Sequence, residues 1–321
     1  MKRFNSLLCV VDPERSFDTA VTQSLKIAND HQAAITFVSV EEAAKSWRTD
    51  LYSAEEYTKD YEELVEKKRS AIESRISTIA PAVKANIEVY SGIGFIQIIK
   101  SVINNQHDLV VKCAEDPDWL SRMFGSEDMH LLRKCPCPVL MLKPGQNDGF
   151  RNILATVDVN DTDEERIQEN LNRQVLEYSA TLSVAELTTL HVGSAWIAYA
   201  ESFCRDNAFS LSPEDEVDAY VEQVRRECSE KLETLVREMD NKLGKEAVQF
   251  IQPRIHLVKG NASKEIPLMT EQYGIDLIVM GTIGRVGIPG FIIGNTAESI
   301  LEQTKCSVLA VKPEGFKTPV E

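Results

Sequence analysis

Three blocks of this chain occur twice in the same order, and that duplication limits the possible folds more than any other feature. Phe4-Asn5-Ser6-Leu7-Leu8-Cys9-Val10-Val11-Asp12 matches Phe150-Arg151-Asn152-Ile153-Leu154-Ala155-Thr156-Val157-Asp158. His107-Asp108-Leu109-Val110-Val111 matches Ile275-Asp276-Leu277-Ile278-Val279, and Cys137-Pro138-Val139-Leu140-Met141-Leu142-Lys143-Pro144 matches Cys306-Ser307-Val308-Leu309-Ala310-Val311-Lys312-Pro313. A repeat of this length means one supersecondary plan used twice. The spacing between the matched blocks widens toward the C-terminus, so the second copy carries insertions. The 321 residues also exceed the usual reach of one hydrophobic core. Two domains are expected, 1–145 and 150–321, joined by the short linker Gly145-Gln146-Asn147-Asp148-Gly149.

Within each copy the pattern alternates between strand and helix. Leu7–Val11, Ile35–Val40, Ile87–Tyr90, Leu109–Val111 and Val139–Leu142 are short, continuous apolar runs bounded by turn residues. Such runs suit a parallel sheet covered on both faces. A long helix shows apolar residues at Tyr57, Tyr61, Leu64, Ile72, Ile76 and Ile79, with Pro81 where it should stop. Its counterpart shows Val217, Val221, Val224, Cys228, Leu232, Leu235 and Met239, with Gly244 at its end. Steps of three and four place one stripe against a sheet. The expected fold class is therefore α/β, two tandem open doubly wound parallel sheets, with ligands at the strand carboxyl ends.

Composition narrows the functions. A formal charge of −15, with no long Lys/Arg block, argues against nucleic acid and anionic membranes as partners. The first apolar run is ended by Asp12, too early for a signal-peptide core, and no later run approaches a membrane span. The odd count of seven cysteines then points to reduced thiols and a cytoplasmic location.

The second copy carries the feature most suggestive of a ligand. After the strand that ends near Met280 comes a loop from Gly281 to Asn295 with five glycines, Gly281, Gly284, Gly287, Gly290 and Gly294. A helix is expected from Thr296, with Asn295 as N-cap and Glu298 as capping-box partner. Glycines cost backbone entropy, and here their absent side chains let N–H groups line an anion site beside a helix N-terminus. A merely flexible connection is the plain alternative. The spacing matches neither Gly-x-Gly-x-x-Gly nor the Lys-containing phosphate loop.

Gly281-x2-Gly284-x9-Gly294 followed by a small polar residue resembles the ATP-binding signature of the universal stress protein family. The resemblance covers nearly the whole chain as two fused domains, each with the Rossmann-like fold of that family. It implies ATP or a related adenine nucleotide, with or without Mg²⁺, in the second copy. It places Asp158, after the first strand, and Val192, at the end of the second, on the adenine side. Met280, Gly281, Gly284, Gly294, Asn295 and Thr296 would meet ribose and phosphates. The family usually has Ser or Thr where this chain has Asn295. The resemblance also implies that the two domains pair as a pseudo-dimer through their last strands, near Val139–Leu142 and Val308–Val311. Further self-association of the chain, and a protein partner, are left open.

The first copy departs from the signature. Cys113 stands opposite Gly281, Asp116 opposite Gly284, and only Gly125 keeps its place opposite Gly294. Glu115, Asp116 and Asp118 would face a phosphate with like charge; two unit charges ~4 Å apart repel by ~4 kcal/mol at an effective dielectric of 20. Asp12 and Val40 remain at the adenine-type positions.

Other chemistry finds little footing. Cys135-Pro136-Cys137, with Cys113 and His130, is poorly spaced for structural zinc, so no metal site is expected. No catalytic set emerges. His191 reads as packed or capping, Arg285 as either a phosphate clamp or a solvated residue, and Ser194-Ala195-Trp196-Ile197-Ala198-Tyr199 as the start of an inserted lid. The expected function is a stress-response protein that binds nucleotide in its second domain and acts as a switch or adaptor. A slow ATPase and a binding module for a small apolar or lipid-like ligand are the alternatives.

Overall fold

The apolar runs become strands in the computed structural model, which describes residues 3–14, 16–41, 54–114, 127–146, 149–160, 165–206, 214–283 and 293–320. The first copy contains β1 (Ser6–Val10), α1 (Phe17–His31), β2 (Ala34–Glu41), α2 (Ala54–Ile79), β3 (Asn86–Ser91), α3 (Gly94–Asn105), β4 (Leu109–Cys113), α4 (Glu127–Lys134) and β5 (Val139–Leu142). The second copy contains β6 (Asn152–Thr156), α5 (Glu165–Glu186), β7 (Thr189–Trp196), α6 (Glu201–Asp206), α7 (Glu214–Leu243), α8 (Lys245–Ile251), β8 (Arg254–Lys259), α9 (Ala262–Gln272), β9 (Leu277–Gly281), α10 (Asn295–Gln303) and β10 (Ser307–Val311). Expected and observed strand limits in the first copy differ by one or two residues. None of the described helices is long and apolar enough to cross a membrane.

Two compact units form, and they do not cut the chain only at the linker. One unit takes residues 3–149 together with 307–321, and the other takes most of 150–306. In the first unit the strands run β3-β2-β1-β4-β5-β10. Every pair there is parallel except the last, where Val308, Leu309 and Ala310 lie antiparallel to Met141, Leu140 and Val139. The antiparallel strand covers the otherwise open edge of β5, whose four residues are all buried. Ser307 Oγ accepts from Lys143 N–H at 2.9 Å and donates to Gln146 Oε1 at 2.6 Å, while the buried Lys312 ammonium donates to Leu132 O. In the second unit β9-β6-β7-β8 is parallel throughout. In both units the strand order reverses direction about the first strand, which leaves a crevice at the carboxyl ends of β1 and β4, and of β6 and β9.

One clamp is repeated in the two units. The Asp108 carboxylate accepts from the backbone N–H groups of Asn5 and Ser6 at 2.7 and 3.0 Å, and Asp108 N–H donates to Ser6 O at 2.9 Å. The Asp276 carboxylate accepts from Arg151 and Asn152 N–H at 2.8 and 3.0 Å, and Asp276 N–H donates to Asn152 O at 2.9 Å. Each aspartate thus fixes the start of the central strand against its neighbour.

The long helices only partly follow their apolar stripes. Ile72 and Ile76 are fully buried on α2, whereas Leu64 is exposed. A 26-residue helix spans about 39 Å, and a six-residue strand such as β3 about 20 Å, so α2 is about twice as long as the strand beside it. On α7 the stripe is buried from Cys228 through Leu232, Leu235 and Met239. It stops at Gly244, which takes φ of 83°, as a helix-ending glycine can.

His191 is packed, not free to bind. It lies in the middle of β7, buried, with Nδ1 2.9 Å from His256 Nε2 and with Tyr273 5.4 Å away, centroid to centroid. Burial, then His256 and Arg254, pushes its pKa down to about 4. Burial is also the largest cause lowering His31, His107, His130 and His256, so all five histidines of the chain shift the same way.

Two outcomes follow from these features. Asp108→Ala and Asp276→Ala should each lower stability by about 1–3 kcal/mol, because two backbone donors lose a charged acceptor; chemical denaturation measures this, and unchanged midpoints would remove the clamp from the account. A histidine whose folded pKa is depressed binds protons more weakly than in the unfolded chain. Its contribution is therefore full above pH ~6.5 and is lost as pH falls, for His191 toward about 4. The thermal midpoint should drop by about 5 °C between pH 7 and 5.5, and a flat profile across that window would contradict the shared direction of the shifts.

Candidate functional site

The crevice of the second copy opens where β6 and β9 end. Ala155 pairs with Val279, and Thr156 Oγ1 donates to Val279 O at 3.3 Å, so both strands finish at one level. Asp158 follows β6 with its side chain exposed. Its backbone is held from α5: Asp158 N–H donates to Asn172 Oδ1 at 3.1 Å, and Asn172 Nδ2 donates to Asp158 O at 2.7 Å. Gln168 Nε2 donates to the same Asn172 oxygen at 3.0 Å. Asn172 is almost wholly buried. It positions Asp158, and no sequence motif marks it.

Along β7 the structure corrects one position. Val192 is not at the strand end; β7 continues to Trp196, and Val192 is buried within it. Val11 N–H donates to Val38 O, and Val157 N–H donates to Gly193 O, so Gly193 is the counterpart of Val38 and Ala195 that of Val40. Gly193 looks like a turn signal in the sequence. Here it is a packing residue, because a Cβ would come within 3.0 Å of Leu154 Cδ1 and Met269 Sδ. Ser194, Ala195 and Trp196, expected to open a lid, are likewise the buried end of β7. The insertion begins at Ile197 and leads into α6, where Tyr199 and Phe203 are exposed and Glu201 is paired with Lys259 at 2.6 Å.

Beyond the end of β6 the edge of β7 meets a side chain. Asn160 Nδ2 donates to Ala195 O at 2.9 Å and to Asp158 Oδ1 at 2.8 Å, and Asn160 Oδ1 accepts from Ile197 N–H at 3.2 Å. Asn160 N–H also donates to Asp158 Oδ1 at 3.1 Å.

The glycine loop separates into glycines with different reasons. Met280 is buried in the core at the end of β9. Gly281 is required by packing, since a Cβ would lie 2.5 Å from Leu171 Cδ2. Gly284 and Arg285 lie outside the described residues. Gly294 has an ordinary φ of −60°, and among the described residues nothing lies within 4 Å of the Cβ it lacks. Gly294, not Asn295, is the N-cap of α10; Asn295 and Thr296 are already helical and exposed. The first helical bond runs from Glu298 N–H to Gly294 O at 2.9 Å, which replaces the expected capping box. The N–H groups of Asn295, Thr296 and Ala297 precede that bond at the positive end of the helix. Gly294 N–H donates to Thr282 O at 3.0 Å, returning the chain to the end of β9.

The corresponding crevice of the first copy is furnished differently. A cavity of about 110 Å³ is bounded by Asp12, Val40, Lys68, Gly94, Lys112 and Glu127, among others. Glu127 Oε1 accepts from Gly94 N–H at the start of α3 at 2.9 Å, and the Lys112 ammonium pairs with the buried Asp128. Cys113, opposite Gly281, is a buried strand end whose thiol is pushed up by burial. Glu115, Asp116, Asp118 and Gly125 lie outside the described residues. The Cys135 and Cys137 sulfurs are 3.6 Å apart, and no group of three or more metal-ligating side chains occurs among the described residues.

Comparison with known proteins agrees with this architecture. The Universal stress protein family model matches residues 3–143 and again 149–312. The chain is 28% identical over 322 residues to the universal stress protein E homolog of Haemophilus influenzae, covering 97% of this chain and 98% of that one. It is also 28% identical over 330 residues to universal stress protein E of Escherichia coli K12, covering 100% and 98%. Among solved structures, a functionally unknown protein from Pseudomonas aeruginosa superimposes with a TM-score of 0.66 at 22% identity, covering 97% of this chain and 93% of that one. A universal stress protein from Archaeoglobus fulgidus gives a TM-score of 0.60 at 18% identity, covering 97% and 99%. The duplicated blocks, the two crevices and these matches together make the chain a tandem member of the universal stress protein family, with a role in stress response.

Proposed function

We propose that the chain binds an adenine nucleotide, ATP or a close relative, in the second copy, and that occupancy switches a surface read by another protein. The observation that carries this reading is Gly294. Packing bears on Gly281, but among the described residues neither packing nor backbone angle accounts for a glycine at 294. A phosphate approaching the backbone at the start of α10 would account for it, because a side chain there would stand in the way. Asn295, Thr296 and Ala297 then supply unbonded N–H groups to the anion. Asp158 and the edge of β7 would take the adenine, with Ala195 and Ile197 in the place assigned to Val192. Met280 and Gly281 would lie beneath the ribose. Mg²⁺, where present, would arrive on the phosphates, as that ion retains much of its own water.

In this reading the first copy is a scaffold. Glu127 already meets the N–H of Gly94, so a carboxylate stands at the helix start that faces the crevice. The segment from Ile197 through α6 would act as the lid whose ordering reports occupancy, in a protein working in the cytoplasm.

Calorimetry with ATP, ADP and AMP, with and without magnesium, tests the proposal on wild type, Gly284→Asp and Gly294→Ala. Wild type should bind without turnover. Gly284→Asp should lose affinity by about tenfold or more, consistent with ~4 kcal/mol of repulsion partly relieved by movement. Gly294→Ala should lose affinity while its thermal midpoint stays near that of wild type, since its methyl meets none of the described residues. No binding by wild type at millimolar nucleotide would end the proposal. Turnover abolished by Gly284→Asp would hand the site to the ATPase alternative.

A further inference from the structure

We infer that the Asn160 carboxamide is a built-in stand-in for the adenine ring, so that nucleotide enters the second copy only by displacing this side chain. The inference rests on the nucleotide reading above and adds how that site is regulated.

Strand β7 outruns β6. Their ladder ends with Thr156 opposite Gly193, and the last backbone bond on that edge is Val157 N–H to Gly193 O. Beyond it the groups facing the same way include Ala195 O and Ile197 N–H, an acceptor and a donor two residues apart. A strand edge left like this needs a partner or water. Asn160 supplies both complements from one planar group: its amide N–H donates to Ala195 O, and its carbonyl accepts from Ile197 N–H. The second amide hydrogen is directed to the Asp158 carboxylate, the other group expected to read adenine.

The Watson–Crick edge of adenine offers the same pair of groups, an exocyclic NH₂ donor next to a ring-nitrogen acceptor. Guanine presents the opposite order there, a carbonyl acceptor next to a ring N–H donor. The bonds that hold Asn160 are thus the bonds an adenine would make, and guanine could not replace them in kind. Exchange of one set for the other conserves the hydrogen-bond count, so the edge is satisfied with or without nucleotide.

The first copy shows that the turn itself does not need the carboxamide. Glu14 occupies the matching position, and its N–H donates to Asp12 Oδ1 at 2.9 Å, as Asn160 N–H does to Asp158. A glutamate has no N–H group with which to imitate adenine. There the adenine-type positions Asp12 and Val40 border the cavity described above. The carboxamide that covers the adenine edge thus occurs in the copy that keeps the glycine loop.

Equilibrium binding of AMP, adenosine and GMP to the full chain, wild type against Asn160→Ala, tests the inference. Removing the competitor should tighten AMP and adenosine alike, by about tenfold, the equivalent of ~1.4 kcal/mol, and should leave GMP no tighter. In wild type, the Asn160 side-chain NH₂ signal in ¹⁵N-edited NMR should move toward the position of a solvated carboxamide as AMP saturates the site. That second measurement decides the matter even where Asn160→Ala folds poorly. Wild type that binds AMP while Asn160→Ala binds it equally or more weakly overturns this inference alone, as does an Asn160 signal unmoved by saturating AMP. Failure of both proteins to bind any adenine compound at millimolar concentration overturns the nucleotide reading and this inference with it.

Discussion

The aspartate at the foot of β4 and of β9 is the interaction on which both crevices depend. A parallel pair of strands has no hairpin to set its register, so something at the strand start must do so. Asp108 and Asp276 do this by taking two successive backbone N–H groups from the start of the central strand while their own N–H closes the ladder. A slip of one residue would exchange the side chains that β1 and β6 present to their two covered faces and disrupt the packing on both. With the starts pinned, strands of equal length end at one level, and Asp12 and Asp158 emerge at the same height above their sheets. The geometry of either crevice depends on that height.

On this common frame the two copies differ in which parts of the proposed nucleotide site they keep. The first copy keeps Asp12 and Val40 beside a cavity, but a carboxylate, Glu127, meets the N–H of Gly94 at a helix start there. In the second copy Gly294 caps the start of α10 with open space beside it among the described residues, and Asn160 covers the β7 edge proposed to read adenine. Phosphate contacts at helix N-termini supply charge-based attraction, and edge hydrogen bonds supply selectivity among bases. Loss of the first would leave little attraction for the proposed ligand, whereas covering the second would leave its binding open to tuning.

Much of this was legible in the sequence, and the misreadings have physical causes. Buried parallel strands are continuous apolar runs, so β1 to β5 could be placed within a residue or two from Leu7, Ile35, Ile87, Leu109 and Val139 onward. The resemblance alone set Val192 at the end of β7, whereas the strand runs on to Trp196 past Gly193, where a Cβ would crowd Leu154 and Met269. A glycine in a strand records crowding as readily as bending. Asn295 was read as a cap because asparagine favours that position, yet Gly294 holds it and Asn295 enters the helix. No motif marks Asn160 or Asn172. Each acts through partners far along the chain, Ala195 and Ile197 for one and Asp158 for the other, and no local spacing encodes such partners.

A site whose hydrogen bonds are already satisfied need not be an inert one. If the bonds of Asn160 and of adenine are equivalent, their exchange contributes little to binding, and the net affinity comes from stacking, ribose and the phosphates at α10. The fraction of molecules with Asn160 swung out then scales the apparent affinity directly. Weak, adenine-selective binding would follow from the chain's own chemistry, and would respond to anything that holds Asp158 or the start of the Ile197 insertion in place. Asn172 is therefore part of the same device. By fixing the Asp158 backbone from α5, it fixes one of the two anchors between which Asn160 is stretched, and so bears on how readily that side chain lets go.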